Sequence, residues 1–192
     1  MGLPLRKAEQ HFTYKDYRSW PDDERWELID GVAYLMSAPS TPHQAVQREI
    51  FGTLYAFLRG NPCRLFAAPL DVFFPRLREQ AEDDVDTVVQ PDIVVVCDPD
   101  KIRHNGIWTA PDVVVEILSP STSRKDQNEK YRLYERSGVR EYWVVDPMGK
   151  WLQQYRLGAD GRFEVERTYE SGSLESPALP GLVIDVAVLW EA

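Results

Sequence analysis

Apolar and polar positions follow two rhythms along this chain. The densest apolar run, Val113-Val114-Val115-Glu116-Ile117-Leu118, enters through Pro111-Asp112 and leaves through Ser119-Pro120. Its β-branched content predicts a strand buried on both faces. Earlier, Trp26-Glu27-Leu28-Ile29 and Val32-Ala33-Tyr34-Leu35-Met36 flank Asp30-Gly31, a strong hairpin signal because Asp-Gly suits a tight primed turn. A helical period takes over from His43 to Arg59, with Val46, Ile50, Leu54, Phe57 and Leu58 on one stripe and Gly60-Asn61-Pro62 as the stop. A short helix is expected over 12–19, broken at Pro21-Asp22-Asp23. Leu70–Phe74 and Val88–Cys97 read as strands around an acidic exposed turn, Glu79–Asp86, and Asp98–Ala110 reads as a loop.

After the Glu116 strand, Ser121-Thr122-Ser123 offers N-cap hydroxyls, with Asp126 three residues beyond Ser123. The helix they open should span Arg124 to Ser137 and stop at Gly138. Glu141–Asp146 is a further strand, and a β meander follows over Gln153–Leu157, Phe163–Tyr169 and Val183–Val188. There is no repeat, low-complexity tract or linker, so residues 1–192 are expected to form one α+β domain. At its centre stand a helix, three strands, a helix and a strand.

With 192 residues and 43% hydrophobic content, the chain can fill one core. No apolar stretch reaches the roughly 20 residues of a membrane helix. Met1–Gln10 lacks the apolar segment of a secretory signal, so a soluble cytoplasmic protein is expected. Two cysteines, Cys63 and Cys97, give no disulfide or zinc framework, and Cys97 is expected as a buried reduced thiol at a strand end. A net charge of −9 opposes indiscriminate nucleic-acid binding. Yet residues 101–150 carry a net +2 against −5 over 51–100, so a local basic surface and a solvated helix face are both open readings.

An ionised carboxylate left dry in the Glu116 strand costs several kcal/mol, so Glu116 needs a partner. Pairing the Asp92 and Glu116 strands as an antiparallel hairpin, with Asp92 opposite Glu116, sets Cys97 opposite Pro111 and leaves 98–110 as the loop. The two carboxylates would then stand about 5 Å apart on one face. A hard divalent ion such as magnesium, held by one or two carboxylates plus waters, relieves their repulsion. Lys130 shares a helix face with residues 126, 133, 134 and 137, a packing face where lysine is unexpected unless its ammonium has a task. Two acids, a metal and a lysine suit phosphodiester hydrolysis. Plainer roles exist for each: turn chemistry for Asp92, an ion pair with Asp126 for Lys130, a cap or core role for His43, an arginine partner for Glu27. Asp112 is expected to be structural, Tyr142 and Trp143 to be core, and Arg124 and Lys125 to be solvated.

Together, Pro91-Asp92, Val-Val-Val-Glu116-Ile-Leu-Ser-Pro-Ser-Thr, Lys130 and Gly138-Val139-Arg140-Glu141-Tyr142-Trp143-Val144-Val145-Asp146-Pro147 resemble the large bacterial family of uncharacterised endonucleases with the restriction-endonuclease-like PD-(D/E)XK fold. The likeness extends to Trp26–Gly31, His43-Gln44 and Ala68–Val72, and covers about Phe12 to Leu189. It implies a mixed central sheet flanked by helices, with an extra N-terminal hairpin and a C-terminal meander. It implies Asp92, Glu116 and the Ile117 carbonyl as ligands of Mg2+ or Mn2+. The superfamily motif has lysine two places after Glu116, where this chain has Leu118; Lys130 matches the lysine that this branch supplies from the following helix. His43 and Glu27 are auxiliary candidates. The expected function is metal-dependent DNA cleavage, with a homodimer and no membrane partner. The alternatives are a non-catalytic module binding nucleic acid or a partner protein and, more remotely, a two-carboxylate glycosidase-like hydrolase.

Overall fold

The computed structural model of the protein describes residues 6–7, 10–21, 23–119 and 124–191, without the side chains of 6, 7 and 124–127. In chain order the elements are β1 (Arg6–Lys7), α1 (Tyr14–Tyr17), β2 (Trp26–Ile29), β3 (Val32–Leu35), α2 (Thr41–Leu58), β4 (Arg64–Ala67), β5 (Val72–Phe73), β6 (Val88–Val89) and β7 (Ile93–Val96). Then come β8 (Ile102–Arg103), β9 (Gly106–Trp108), β10 (Val113–Ile117), α3 (Arg124–Ser137), β11 (Glu141–Asp146), β12 (Trp151–Leu157), β13 (Phe163–Tyr169), β14 (Ser173–Glu175) and β15 (Val183–Asp185). The result is a mixed α+β fold with two mixed sheets and few helices. The larger in area of strand is the six-stranded sheet β13-β12-β11-β10-β7-β4; the other runs β1-β3-β2-β6-β5-β9-β8.

β10 lies in the middle of the six-stranded sheet, parallel to β11 and antiparallel to β7. Its alternation divides the core. Val113, Val115 and Ile117 pack with Ile93, Val95 and the α2 stripe Val46, Ile50, Leu54 and Leu58. Val114 faces the other way, with Val94, Val96, Leu133 and Tyr134 of α3 and Ile29 and Val89 of the second sheet. A period of two on one central strand therefore supplies two cores, which is why its valines are all fully buried.

The hairpin forms as its sequence dictates: Asp30 and Gly31 both take positive φ, 51° and 75°, the primed-turn geometry. A side chain at Gly31 would also collide with His11. The β7–β10 pairing has the expected register, Val115 opposite Ile93 and Val113 opposite Val95.

Four expectations need correction. Val88–Cys97 is not one strand: Gln90-Pro91-Asp92 breaks it, and β6 joins the second sheet while β7 joins the first. Proline supplies no ladder N–H, so the chain changes sheets there. The segment 98–110 holds a small hairpin, β8–β9, instead of a plain loop. The hairpin strands β2 and β3 join the seven-stranded sheet and β12 and β13 of the meander extend the six-stranded one, but Val183–Val188 is a strand only over β15, which pairs with β14 in a separate two-stranded sheet before a 3-10 turn begins at Val186. Finally, Cys97 is not a reduced thiol. Strand β4, which has no alternating pattern to betray it, pairs with β7 so that the next step beyond Arg64–Val96 sets Cys63 opposite Cys97, and the two form a disulfide.

Glu141 fastens the C-terminal segment to the sheet. Fully buried at the start of β11, its carboxylate accepts from Trp143 Nε1 (2.6 Å), Gln154 Nε2 (2.6 Å), Ser176 Oγ (2.7 Å) and the Ala178 N–H (3.0 Å). Glu141→Ala strands these donors, and urea denaturation should show a loss of about 3 kcal/mol, whereas a loss under about 1 kcal/mol would contradict this role.

Candidate active site

Strand parity places the two acids. Directly opposite residues of an antiparallel pair share a face. Continued one step past Val115–Ile93, the register sets Glu116 against Asp92, on the face that α3 covers. Asp92 is tied into β10 by its own side chain, whose Oδ2 accepts from the Ile117 N–H at 2.7 Å. The same oxygen meets His43 Nε2 at 3.1 Å. His43 stands in the first turn of α2, which Ser40 caps by accepting from the His43 N–H. The imidazole is buried, and its Nδ1 has no hydrogen-bond partner among the described residues. The Asp92 carbonyl accepts from Gln47 Nε2 and the Ala68 N–H, so the residue is fixed at backbone and side chain alike.

Lys130 projects from α3 between two carboxylates. Its Nζ lies 2.9 Å from Glu116 Oε1 and 2.8 Å from Glu27 Oε1. Glu116 Oε1 also accepts from the Tyr134 hydroxyl at 2.6 Å, and Glu27 Oε1 from the Gln90 N–H at 2.8 Å. Glu27, expected to pair with an arginine if with anything, therefore pairs with Lys130. Both lysine and Glu116 side chains are only 13% exposed, so the pair is weakly screened.

Electrostatics follow from this burial. Removal from water pushes the Glu116 carboxyl up to about 7; Lys130 opposes that shift, while Asp92 and Glu27 add to it. For Lys130 burial disfavours the charged form, but Glu116 and Glu27 outweigh it and hold the ammonium above its ordinary value. The Tyr134 hydroxyl is pushed well up by burial and by Glu116, which keeps it a donor.

Glu27, His43, Asp92, Glu116 and Lys130 line a cavity of about 160 Å3 that also meets Arg25, Gln90 and Leu118, with Tyr134 behind its wall. Asp92, Glu116 and Lys130 converge there, together with both auxiliary candidates, His43 and Glu27. Tyr142 is buried as expected yet touches the cavity wall, while Trp143 is core. Asp112 is structural: it accepts from the Cys97 N–H and pairs with Arg140. The Ser121–Ser123 cap lies outside the described residues, as do the side chains of Arg124, Lys125 and Asp126. Sequence reasoning missed Tyr134, Gln90 and Arg25. Tyr134 had a signal, since it lies one helical turn from Lys130 on the same face. Gln90 and Arg25 had only their neighbours, Pro91 and Glu27.

A family model described as "Uma2: Putative restriction endonuclease" matches residues 14–187. The chain is 26% identical over 179 residues to an uncharacterized protein of Synechocystis sp., slr1290, covering 92% of this chain and 90% of that protein. A crystal structure described as a putative nuclease belonging to DUF820, from Anabaena variabilis, superimposes with a TM-score of 0.73 at 20% identity, covering 94% of this chain and 98% of the other. At that identity the likeness is one of fold.

Lys130→Met leaves Glu27 and Glu116 buried without their cation. In chelator, denaturation should show a loss of about 3–5 kcal/mol, partly recovered by adding Glu27→Gln; a loss below about 1 kcal/mol would mean the ammonium is not what holds the acids together.

Proposed function

The chain belongs to the Uma2 family, described as putative restriction endonucleases, and from that premise we propose that it is a divalent-metal-dependent nuclease, one nuclease-like domain hydrolysing phosphodiester bonds in DNA. The observation that carries the reading is the meeting of Asp92 and Glu116, from paired strands, with the Lys130 ammonium in one cavity.

The donor set fits a hard cation. Asp92 and Glu116 each give one oxygen to protein donors, Oδ2 and Oε1, and their other oxygens accept no hydrogen bond among the described residues. With the Ile117 carbonyl, these are oxygen ligands of the kind magnesium and manganese prefer. The set is open: among the described residues no three His, Cys, Asp or Glu side chains gather as a ready cage. That suits an ion that keeps waters and takes substrate oxygens as further ligands. Bound there, the metal supplies a Lewis acid that acidifies water and neutralises phosphate charge.

The chain's own groups do the rest. His43 and the Ile117 N–H orient Asp92 by gripping one oxygen. Tyr134 orients Glu116 in the same way. An ammonium has three N–H donors, and among the described residues Lys130 uses two, on Glu27 and Glu116; the third would donate to the phosphate as negative charge builds on its oxygens. Homodimerisation belongs to the same proposal, since two copies place a site on each strand of a duplex.

A second reading, a nuclease-fold module that binds nucleic acid or a partner protein without cutting, is favoured by Leu118 in place of the motif lysine and by the net charge of −9. Supercoiled and linear DNA incubated with magnesium or manganese separates the two. Wild-type protein should cut, and Asp92→Ala and Glu116→Ala should each lose roughly 100-fold or more. Cutting that persists in both variants would sink the assignment of the acids, and no cutting with any divalent ion would favour the binding module.

A further inference from the structure

The cavity holds a second cation that the nuclease reading does not use. Arg25 directly precedes β2, and its carbonyl accepts from the Met36 N–H, which continues the β2–β3 ladder. Strand alternation therefore aligns Arg25 with Glu27 and Ile29, and all three line the cavity, while Trp26 and Leu28 pack on the opposite side. Arg25 stands one strand repeat from Glu27, roughly 7 Å along the chain.

The partner of this arginine is neutral rather than acidic. Arg18, Arg76, Arg136 and Arg140 each sit on an aspartate. Arg25 instead directs Nε (3.2 Å) and Nη2 (2.7 Å) at the side-chain carbonyl of Gln90, a neutral group. Among the described residues no carboxylate lies within ion-pair reach of it. The guanidinium thus has no carboxylate in direct contact, Asp71 at the other end of the Gln90 amide acting on it only at longer range, and its Nη1 makes no hydrogen bond among those residues.

Gln90 cannot turn away. Its amide NH2 donates to Asp71 Oδ1 (2.9 Å) and the Tyr17 hydroxyl (3.1 Å), and its backbone N–H to Glu27 Oε1 (2.8 Å). With the NH2 committed to those acceptors, the carbonyl end must face Arg25. The break between β6 and β7 therefore serves two purposes: Gln90 aims Arg25, and Asp92 faces Glu116.

We propose that Arg25 is a phosphate-binding residue of this site, its guanidinium holding a non-bridging oxygen of the DNA phosphate next to the one addressed by Asp92, Glu116 and Lys130. A fork of N–H donors matches a phosphate, and a guanidinium not spent on a carboxylate keeps its full charge for one. The offset from Glu27 places it beside the reacting group, so it contributes to ground-state and transition-state binding alike. The nuclease reading supplies the identity of the ligand.

The test is binding of a labelled DNA duplex, read by fluorescence anisotropy in calcium over a salt series, with steady-state cleavage in magnesium. Arg25→Met should weaken binding about 10-fold and reduce the slope of log K against log salt by about one, the signature of one lost phosphate contact. KM should rise with kcat within about threefold. Arg25→Lys, which keeps the charge and guards against a folding defect in the methionine variant, should retain most of the slope. Unchanged affinity and slope in Arg25→Met, with wild-type protein binding normally, would overturn this inference alone. A fall in kcat at constant KM would overturn the flanking position. Wild-type protein that binds but never cuts would remove the nuclease reading and leave the binding arm to judge Arg25; wild-type protein that binds no DNA would remove both.

Discussion

One ammonium joins the two halves of this fold. Glu27 belongs to the seven-stranded sheet and Glu116 to the six-stranded one, and Lys130 of α3 lies within 2.9 Å of an oxygen of each. Two buried carboxylates in such proximity repel strongly at low dielectric, and neither sheet could bring its acid there alone. The hydrophobic contacts of α3, through Leu133 and Tyr134, set the helix on both sheets at once and so aim the lysine. Packing positions the charge, and the charge in turn makes the meeting of the sheets tolerable.

The other constraint is the crossing at Gln90-Pro91-Asp92. A strand that continued straight would leave both side chains in one sheet. Because the chain changes sheets at Pro91, Gln90 stays with β2 and its neighbours, where it contacts Glu27 and Arg25, while Asp92 enters the register that ends at Glu116. Three residues thus distribute polar groups to both walls of the cavity. His43, at the capped start of α2, secures Asp92 from a third direction.

Much of this was legible in the residues because it rests on strong local signals. The Asp30-Gly31 turn, the period of α2 and the valine run of β10 each follow from backbone preference or from burial on one or two faces. The register of β7 against β10 could be worked out because an acid in each strand demanded a shared cation. The remainder depends on contacts distant in sequence. β5, β6 and β8 are two residues long, too short to show any period, and the half-buried Arg64–Ala67 does not alternate. The Cys63–Cys97 bond follows from that hidden strand. In the site, Asp92, Glu116 and Lys130 were visible as polar residues where apolar ones belong; Gln90 and Arg25 were not, since an uncharged amide and an arginine beside a strand look ordinary until the fold aligns them.

The proposed function stands on Asp92 and Glu116 holding one cation together. Crystals soaked in manganese and measured at its absorption edge test it most directly. One anomalous peak is expected between the two carboxylates, roughly 2.1 Å from an oxygen of each, beside the Ile117 carbonyl. A saturating soak that leaves that position empty, or places manganese against other residues alone, would contradict it.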